Sequence, residues 1–162
     1  MIAAGKKPAI PRQKGVVLDT NLLLLLWVGR WNSEAIPQHK CTNQFDGADY
    51  WRLKDFLRQF RKVAVTPSIL TEGSNLIRQS KHRWDITAKL VEQIPLFDEH
   101  HFPSVDVVQT AAFIPLGLTD AGIVLLARDQ WLVLTADVDL FVRLTSEELP
   151  VINFNHLRSL DQ

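Results

Sequence analysis

A chain of 162 residues, 46% hydrophobic and 22% charged, has the composition of one ordinary globular domain and excludes a disordered polymer. Lys+Arg and Asp+Glu each number 18, so net charge selects no class of partner, and a nucleic acid would have to be held by a local basic patch. The single cysteine, Cys41, excludes an intrachain disulfide and a cysteine-based zinc site and fits a reducing cytoplasm.

The opening "MIAAGKKPAIPRQK" carries basic residues without an apolar signal core and reads as a flexible arm over residues 1–14. "VVL" at 16–18 is a β-branched apolar run, read as a buried strand. Thr20 or Asn21 can cap a helix over residues 22–27 that ends near Gly29, although a six-residue apolar run equally suits a longer strand. That run is far shorter than the roughly 20 residues needed to span a bilayer. Residues 30–48 are polar with Pro and Gly and read as a loop. From Asp49, taken as a cap, Tyr50, Leu53, Phe56, Leu57 and Phe60 form the stripe of an amphipathic helix.

"KVAVT" is a second strand, and Pro67 opens a helix in which Gly73 is a weak spot. "HRWDITAKLVEQI" is a helix stopped by Pro95, and "SVDVVQTAAF" reads as another, capped by Ser104. "LTDAGIVLLARD" is a helix starting at Thr119 or Asp120. "WLVLT", "VDLFVRLTSEE" and "PVINF" complete the series as strand, helix and strand, before a polar tail over 157–162. Strands alternating with helices predict one α/β domain over 15–156, with a parallel sheet of four to five short strands between helical layers.

Parallel sheets bind ligands at the carboxyl ends of their strands. Asp19 directly follows "VVL", and Asp137 follows "WLVLT" by two residues. Glu72 lies in the helix leaving "KVAVT", and Asp120 opens the helix before "WLVLT". Taken singly, each has a plainer explanation as an N-cap, a turn residue or a solvated helix position. Together they predict a self-repelling carboxylate cluster at one rim, which a hard cation such as Mg²⁺ or Mn²⁺ would neutralise. Such an ion activates water and offsets charge developing on a phosphodiester.

The segments "VVLDTNLLL", "VTPSILTEGSNL", "LGLTDAGIVLLA" and "WLVLTADVDL" resemble, in this order, the four motifs of the PIN-domain nucleases. The resemblance spans roughly residues 15–154. It implies a three-layer sandwich and Mg²⁺- or Mn²⁺-dependent hydrolysis of RNA. Asp19, Glu72, Asp120 and Asp137 match the acidic metal-binding and catalytic quartet. Asn21 matches an amide that orders the first carboxylate, Thr135 a small hydroxyl near the fourth, and Asp139 an additional acid. Many small members resemble VapC-type toxins, which implies a cytoplasmic homodimer and a cognate antitoxin. The polar segment before Glu72 is longer than in compact toxins. A non-catalytic RNA- or protein-binding module and a DNA-directed nuclease are the competing readings; retention of all four acids argues against the first, and chain length against the second.

RNA beside an acidic centre needs cations elsewhere. Lys40, Arg78 and His82, within the basic stretches at 30–62 and 78–83, are the candidates for holding it. Trp31 and Trp84 are candidate stacking residues, whereas Trp131 leads into a strand and reads as core. The apolar helix at 22–27 and the stripe from Tyr50 to Phe60 are the candidate faces for a second subunit.

Overall fold

A computed structural model describes residues 12–160. Five strands, β1 (Val16–Leu18), β2 (Val63–Val65), β3 (Asp98–Glu99), β4 (Leu132–Thr135) and β5 (Val151–Asn153), form one parallel sheet in the order β3-β2-β1-β4-β5. Val17 pairs with Ala64 on one side and Val133 on the other. β1 is buried on both faces, which is why "VVL" has no polar alternation.

The chain steps outward from β1 to β2 and β3, then returns to lay β4 and β5 on the other side of β1. The strand order therefore reverses between β1 and β4, and the crevice above their carboxyl ends is the ligand-binding position of an open α/β sheet. The helices α1 (Thr20–Asn32), α2 (Gly47–Leu57), α3 (Pro67–Arg78) and α4 (Arg83–Gln93) pack together around α1, on the face to which the right-handed crossover rule assigns the β1–β2–β3 connections. The same rule assigns α5 (Ser104–Val108), α6 (Phe113–Arg128) and α7 (Val138–Ser146) to the other, with α8 (Phe154–Ser159) following β5. The result is a three-layer α/β sandwich.

α1 is apolar all round because it is buried all round. Leu22 through Gly29 are inaccessible, with Trp27 fully enclosed. Each such leucine contributes about 1.5–3 kcal/mol through burial. Gly73, expected to weaken α3, instead permits close packing: a Cβ there would lie 2.7 Å from the Trp27 ring. The same burial removes the expected subunit face, since α1 and the Tyr50 and Leu53 side of α2 are core. The exposed apolar side chains include Ile114, Leu118, Val138 and Val142, on α6 and α7.

The structure corrects several other expectations. α1 runs past Gly29 to Asn32, and residues 33–38 form a 3₁₀ turn rather than loop. Asn32 caps that turn, and Ile36 within it is buried, so one apolar anchor holds a polar sequence in register. The cap of α2 is Asp46. Asp49 is its capping-box partner, buried and bonded to Arg52 and Arg158. Ser104 is the first residue of α5, not its cap, and α5 ends before Gln109. β3 escaped the sequence reading because two charged residues carry no strand pattern; an edge position tolerates them.

Residues 1–11 of the expected arm, and 161–162 of the expected tail, lie outside the described residues. Lys14 is anchored rather than free, its Nζ on Asp129 at 2.6 Å and its N–H on the Gln130 carbonyl. Residues 157–159 are helical, and Arg158 docks on Asp49 at 3.0 Å. No helix among the described residues is long and apolar enough to cross a membrane.

Candidate functional site

Asp19 leaves β1 in extended conformation and caps α1, its Oδ1 accepting the Leu22 N–H at 2.8 Å. Its Oδ2 accepts the Thr135 hydroxyl at 2.5 Å and the Ala136 N–H at 2.8 Å. The side chain is thus clamped by both strands that flank the reversal. The amide of Asn21 is not among the groups that hold it, contrary to the expectation from the motif. The N–H of Ala136 is the donor that sequence could not flag, because any residue other than proline carries it.

Thr135 is fully buried, and its oxygen also accepts the N–H of Asp137 at 2.9 Å. Asp137 caps α7 through Leu140 at 2.9 Å. Asn155 donates to the Ala136 carbonyl at 3.3 Å, bracing the turn from the β5 side. The expected supporting role of Thr135 is therefore a two-way link between neighbouring strand ends.

Asp120 arrives from the other layer. α6 breaks at Gly117, whose φ of 85° and ψ of 180° belong to a region that essentially only glycine occupies. The second half of α6 starts there, putting Asp120 in its first turn over the crevice. The Asp120 carboxyl is half-buried and accepts no hydrogen bond among the described residues. Burial, followed by the charges of Asp137, Asp19 and Glu72, pushes its pKa up to about 7. Burial also raises Asp19, with its three hydrogen bonds opposing the rise and the Asp137 charge adding to it. Asp137, Asp19 and Glu72 therefore all act on Asp120 across a single rim.

Glu72 is exposed on α3, whose start is fixed by the Thr66 cap on Ile69. Together with Ser68, Thr71, Leu118 and Thr119, it lines a groove of about 300 Å³ between α3 and α6. Asp139 is not drawn into the centre. It is exposed and lines a separate groove with Leu116 and Arg143, and it is absent from the charges acting on Asp120.

Among the described residues no three His, Cys, Asp or Glu side chains form a group that could by itself hold a metal ion. The expected metal-binding quartet of Asp19, Glu72, Asp120 and Asp137 is thus not drawn together as a ready-made ligand set. A hard cation of the Mg²⁺ class does not require one. It keeps several waters and is bound through one or two carboxylates together with substrate phosphate oxygens. An all-oxygen donor set in which Asp120 and Asp19 are raised by burial and by neighbouring acids suits such an ion on both counts.

Lys40, Arg78 and His82 do not join the acids. Arg78 ends α3, while Lys40 and His82 line a cavity beside Trp31 in the last turn of α1. Trp31 lies twelve residue steps along α1 from its cap Asp19, or roughly 18 Å at 1.5 Å per residue. Helices that begin at the acidic rim carry these basic groups to the opposite end of the sheet. Trp84 is exposed and Trp131 buried, as expected, while Trp31 is half-buried and stacked on His82.

No family model matches the chain, and no curated protein matches it.

Proposed function

We propose that the chain is a divalent-cation-dependent ribonuclease of the PIN type, acting at the rim formed by Asp19, Asp120 and Asp137 with Glu72 beside them. The observation that carries this reading is Asp120. It is a half-buried carboxyl without a hydrogen-bond donor among the described residues, faced by three other acids, with its pKa pushed up to about 7. A carboxylate retained for stability has a partner; this one is surrounded by like charge.

Asp19 and Asp137 would hold Mg²⁺ or Mn²⁺ at the strand ends, with Asp120 and Glu72 completing its surroundings. When bound, the ion supplies a more acidic water and neutralises charge on the phosphate. The protein's own contribution is rigidity. Thr135, Ala136 and Leu22 fix Asp19, and the Leu140 N–H fixes Asp137, so neither carboxylate reorganises during the reaction. Asp120 orients the attacking water from the α6 side. Ser68, Thr71 and Thr119 offer neutral hydroxyls to the sugar and phosphate of a strand lying along the groove.

RNA as the substrate rests on the resemblance of the four motifs. The same resemblance supports a toxin-like role in the cytoplasm, with a homodimer and an antitoxin partner. In this reading the partner face is the exposed apolar side of α6 and α7, since α1 and α2 are committed to the core.

The test is cleavage of single-stranded RNA by the purified chain with Mn²⁺, with chelator, and with Asp120→Asn. Fragments that need the cation and vanish in the variant support the proposal. Cleavage unaffected by chelator, or equal in the variant, overturns it.

A further inference from the structure

The cavity at the far end of α1 has about 280 Å³ of space, just below the roughly 300–1,000 Å³ of small-molecule pockets. Its walls come from the end of α1, the 3₁₀ turn and the connection between α3 and α4. One wall is a ring pair, Trp31 and His82, with centroids 4.6 Å apart and planes tilted by 30°. Around it stand Lys40, Lys81, His39 and Ser80, and among the described residues no carboxylate lines it.

Two of these side chains are more than nine-tenths buried and carry a polar atom without a partner. They are His39, 7% exposed, at Nε2, and Ser80, 8% exposed, at Oγ. The Cys41 N–H donates to His39 Nδ1 at 3.2 Å, so Nδ1 is the acceptor and Nε2 carries the proton. Burial, and then the charge of His82, lowers the His39 pKa and keeps the ring neutral. Both residues line the cavity, and the N–H of His39 and the hydroxyl of Ser80, closed to solvent, lack an acceptor, each costing about 1–3 kcal/mol while unsatisfied. A ligand with anionic oxygens removes that cost, and the two lysines supply the countercharge.

We propose that this cavity binds a nucleoside 5′-monophosphate unit, free or at the end of a strand. Its phosphate accepts from the lysine ammonium groups and, as the two side chains turn toward it, from His39 Nε2 and Ser80 Oγ, and its base lies against the Trp31–His82 pair. The site is built without any of the four acids and stands or falls separately from the nuclease reading.

The test is calorimetric titration of the full chain with each of the four nucleoside 5′-monophosphates, the matching nucleosides, inorganic phosphate and a 5′-phosphorylated trinucleotide. Saturable binding of at least one nucleotide is expected. Removing the phosphate or the base should weaken it roughly tenfold or more. The Lys40→Ala/Lys81→Ala and Ser80→Ala variants should weaken it comparably while keeping the wild-type circular dichroism. The ¹⁵N resonance of His39 Nε2 should move on saturation. A trinucleotide binding as well as the free nucleotide supports the proposal with a strand end as the source, and weaker binding supports it with the free nucleotide. Absence of saturable binding by every nucleotide form, or binding unchanged in both variants, overturns it.

Discussion

The hydroxyl of Thr135 donates to Asp19 Oδ2 across 2.5 Å while accepting the N–H of Asp137 at 2.9 Å, so one buried side chain ties the carboxyl end of β1 to that of β4. The relationship makes the position of each acid depend on the other. It also explains why a threonine, rather than a valine of the same shape, stands at a fully enclosed strand position.

Thr135→Val keeps the shape and removes both hydrogen bonds. It should lower unfolding free energy by about 1–3 kcal/mol, because the Asp137 N–H and one lone pair of Asp19 lose their partner. Thr135→Ser should recover most of the loss. Urea denaturation of the three proteins checks this, and a valine variant as stable as wild type would show that the link contributes nothing.

Asp19→Asn separates stability from the proposed chemistry. The amide keeps one acceptor oxygen but turns an NH₂ toward donors that Asp19 now satisfies, at Leu22 or at Thr135 and Ala136. It also relieves a buried charge, so the net change in stability should stay within about 2 kcal/mol. Loss of the carboxylate should reduce Mn²⁺-dependent RNA cleavage by about 100-fold or more. Paired thermal melts and cleavage assays measure the two effects.

The Asp120 carboxyl gives stability an unusual dependence on pH. Its pKa is about 7 in the folded chain against 3.8 as the reference value, so between those limits the folded state holds a proton that the unfolded state has lost. This contribution is full below the unfolded pKa and is lost as pH rises through about 7. His39, lowered by burial, acts the other way as pH falls below its reference value of 6.5. The difference in melting temperature between wild type and Asp120→Asn, followed in chelator from about pH 5 to about pH 8, isolates the carboxyl. Wild type should lose ground relative to the variant toward the alkaline end. Added Mg²⁺ or Mn²⁺ should restore it there and do little at the acid end, where protons occupy the site.

Gly117→Ala should destabilise by about 1–3 kcal/mol, since no Cβ-bearing residue readily adopts its backbone conformation. A Cβ at this position meets no neighbouring atom within 4 Å, so the cost is conformational and not steric contact with other residues. The same change should misaim Asp120 and lower cleavage more than the stability loss explains. Comparing activity well below the melting temperature distinguishes the two.

Arg158→Ala removes the Nε donor that reaches Asp49 at 3.0 Å and the bond to the Gln44 carbonyl at 3.1 Å. Asp49 keeps Arg52, so the expected cost is about 1–3 kcal/mol rather than that of an orphaned buried charge. A chain ended at residue 156 should show a similar loss in chemical denaturation.

Much of this protein was legible from local pattern. Val16–Leu18 and Leu132–Thr135 announce buried strands, because β-branching and apolar runs follow directly from which faces are enclosed, whereas the apolar run after Asp19 suits a helix or a longer strand until its packing is seen. Asp19, Thr135 and Asp137 could be placed at strand ends from spacing alone, since a strand end is a local event. The two-residue β3 and the 3₁₀ turn at Ser33–Gln38 could not, because neighbours across the sheet and a single buried Ile36 hold them.

Only the tertiary structure decided which distant residues meet. It brought Asp120 over the β1–β4 crevice through the break at Gly117, a backbone conformation that no residue-type pattern reports. It sent Lys40, Arg78 and His82 to the other end of helices that begin beside the acids, because a helix carries its two ends apart by 1.5 Å per residue however close they lie in sequence. Sequence determined the elements and their order, through short-range sterics and burial. The distances between chemical groups were set by how three layers pack around one sheet.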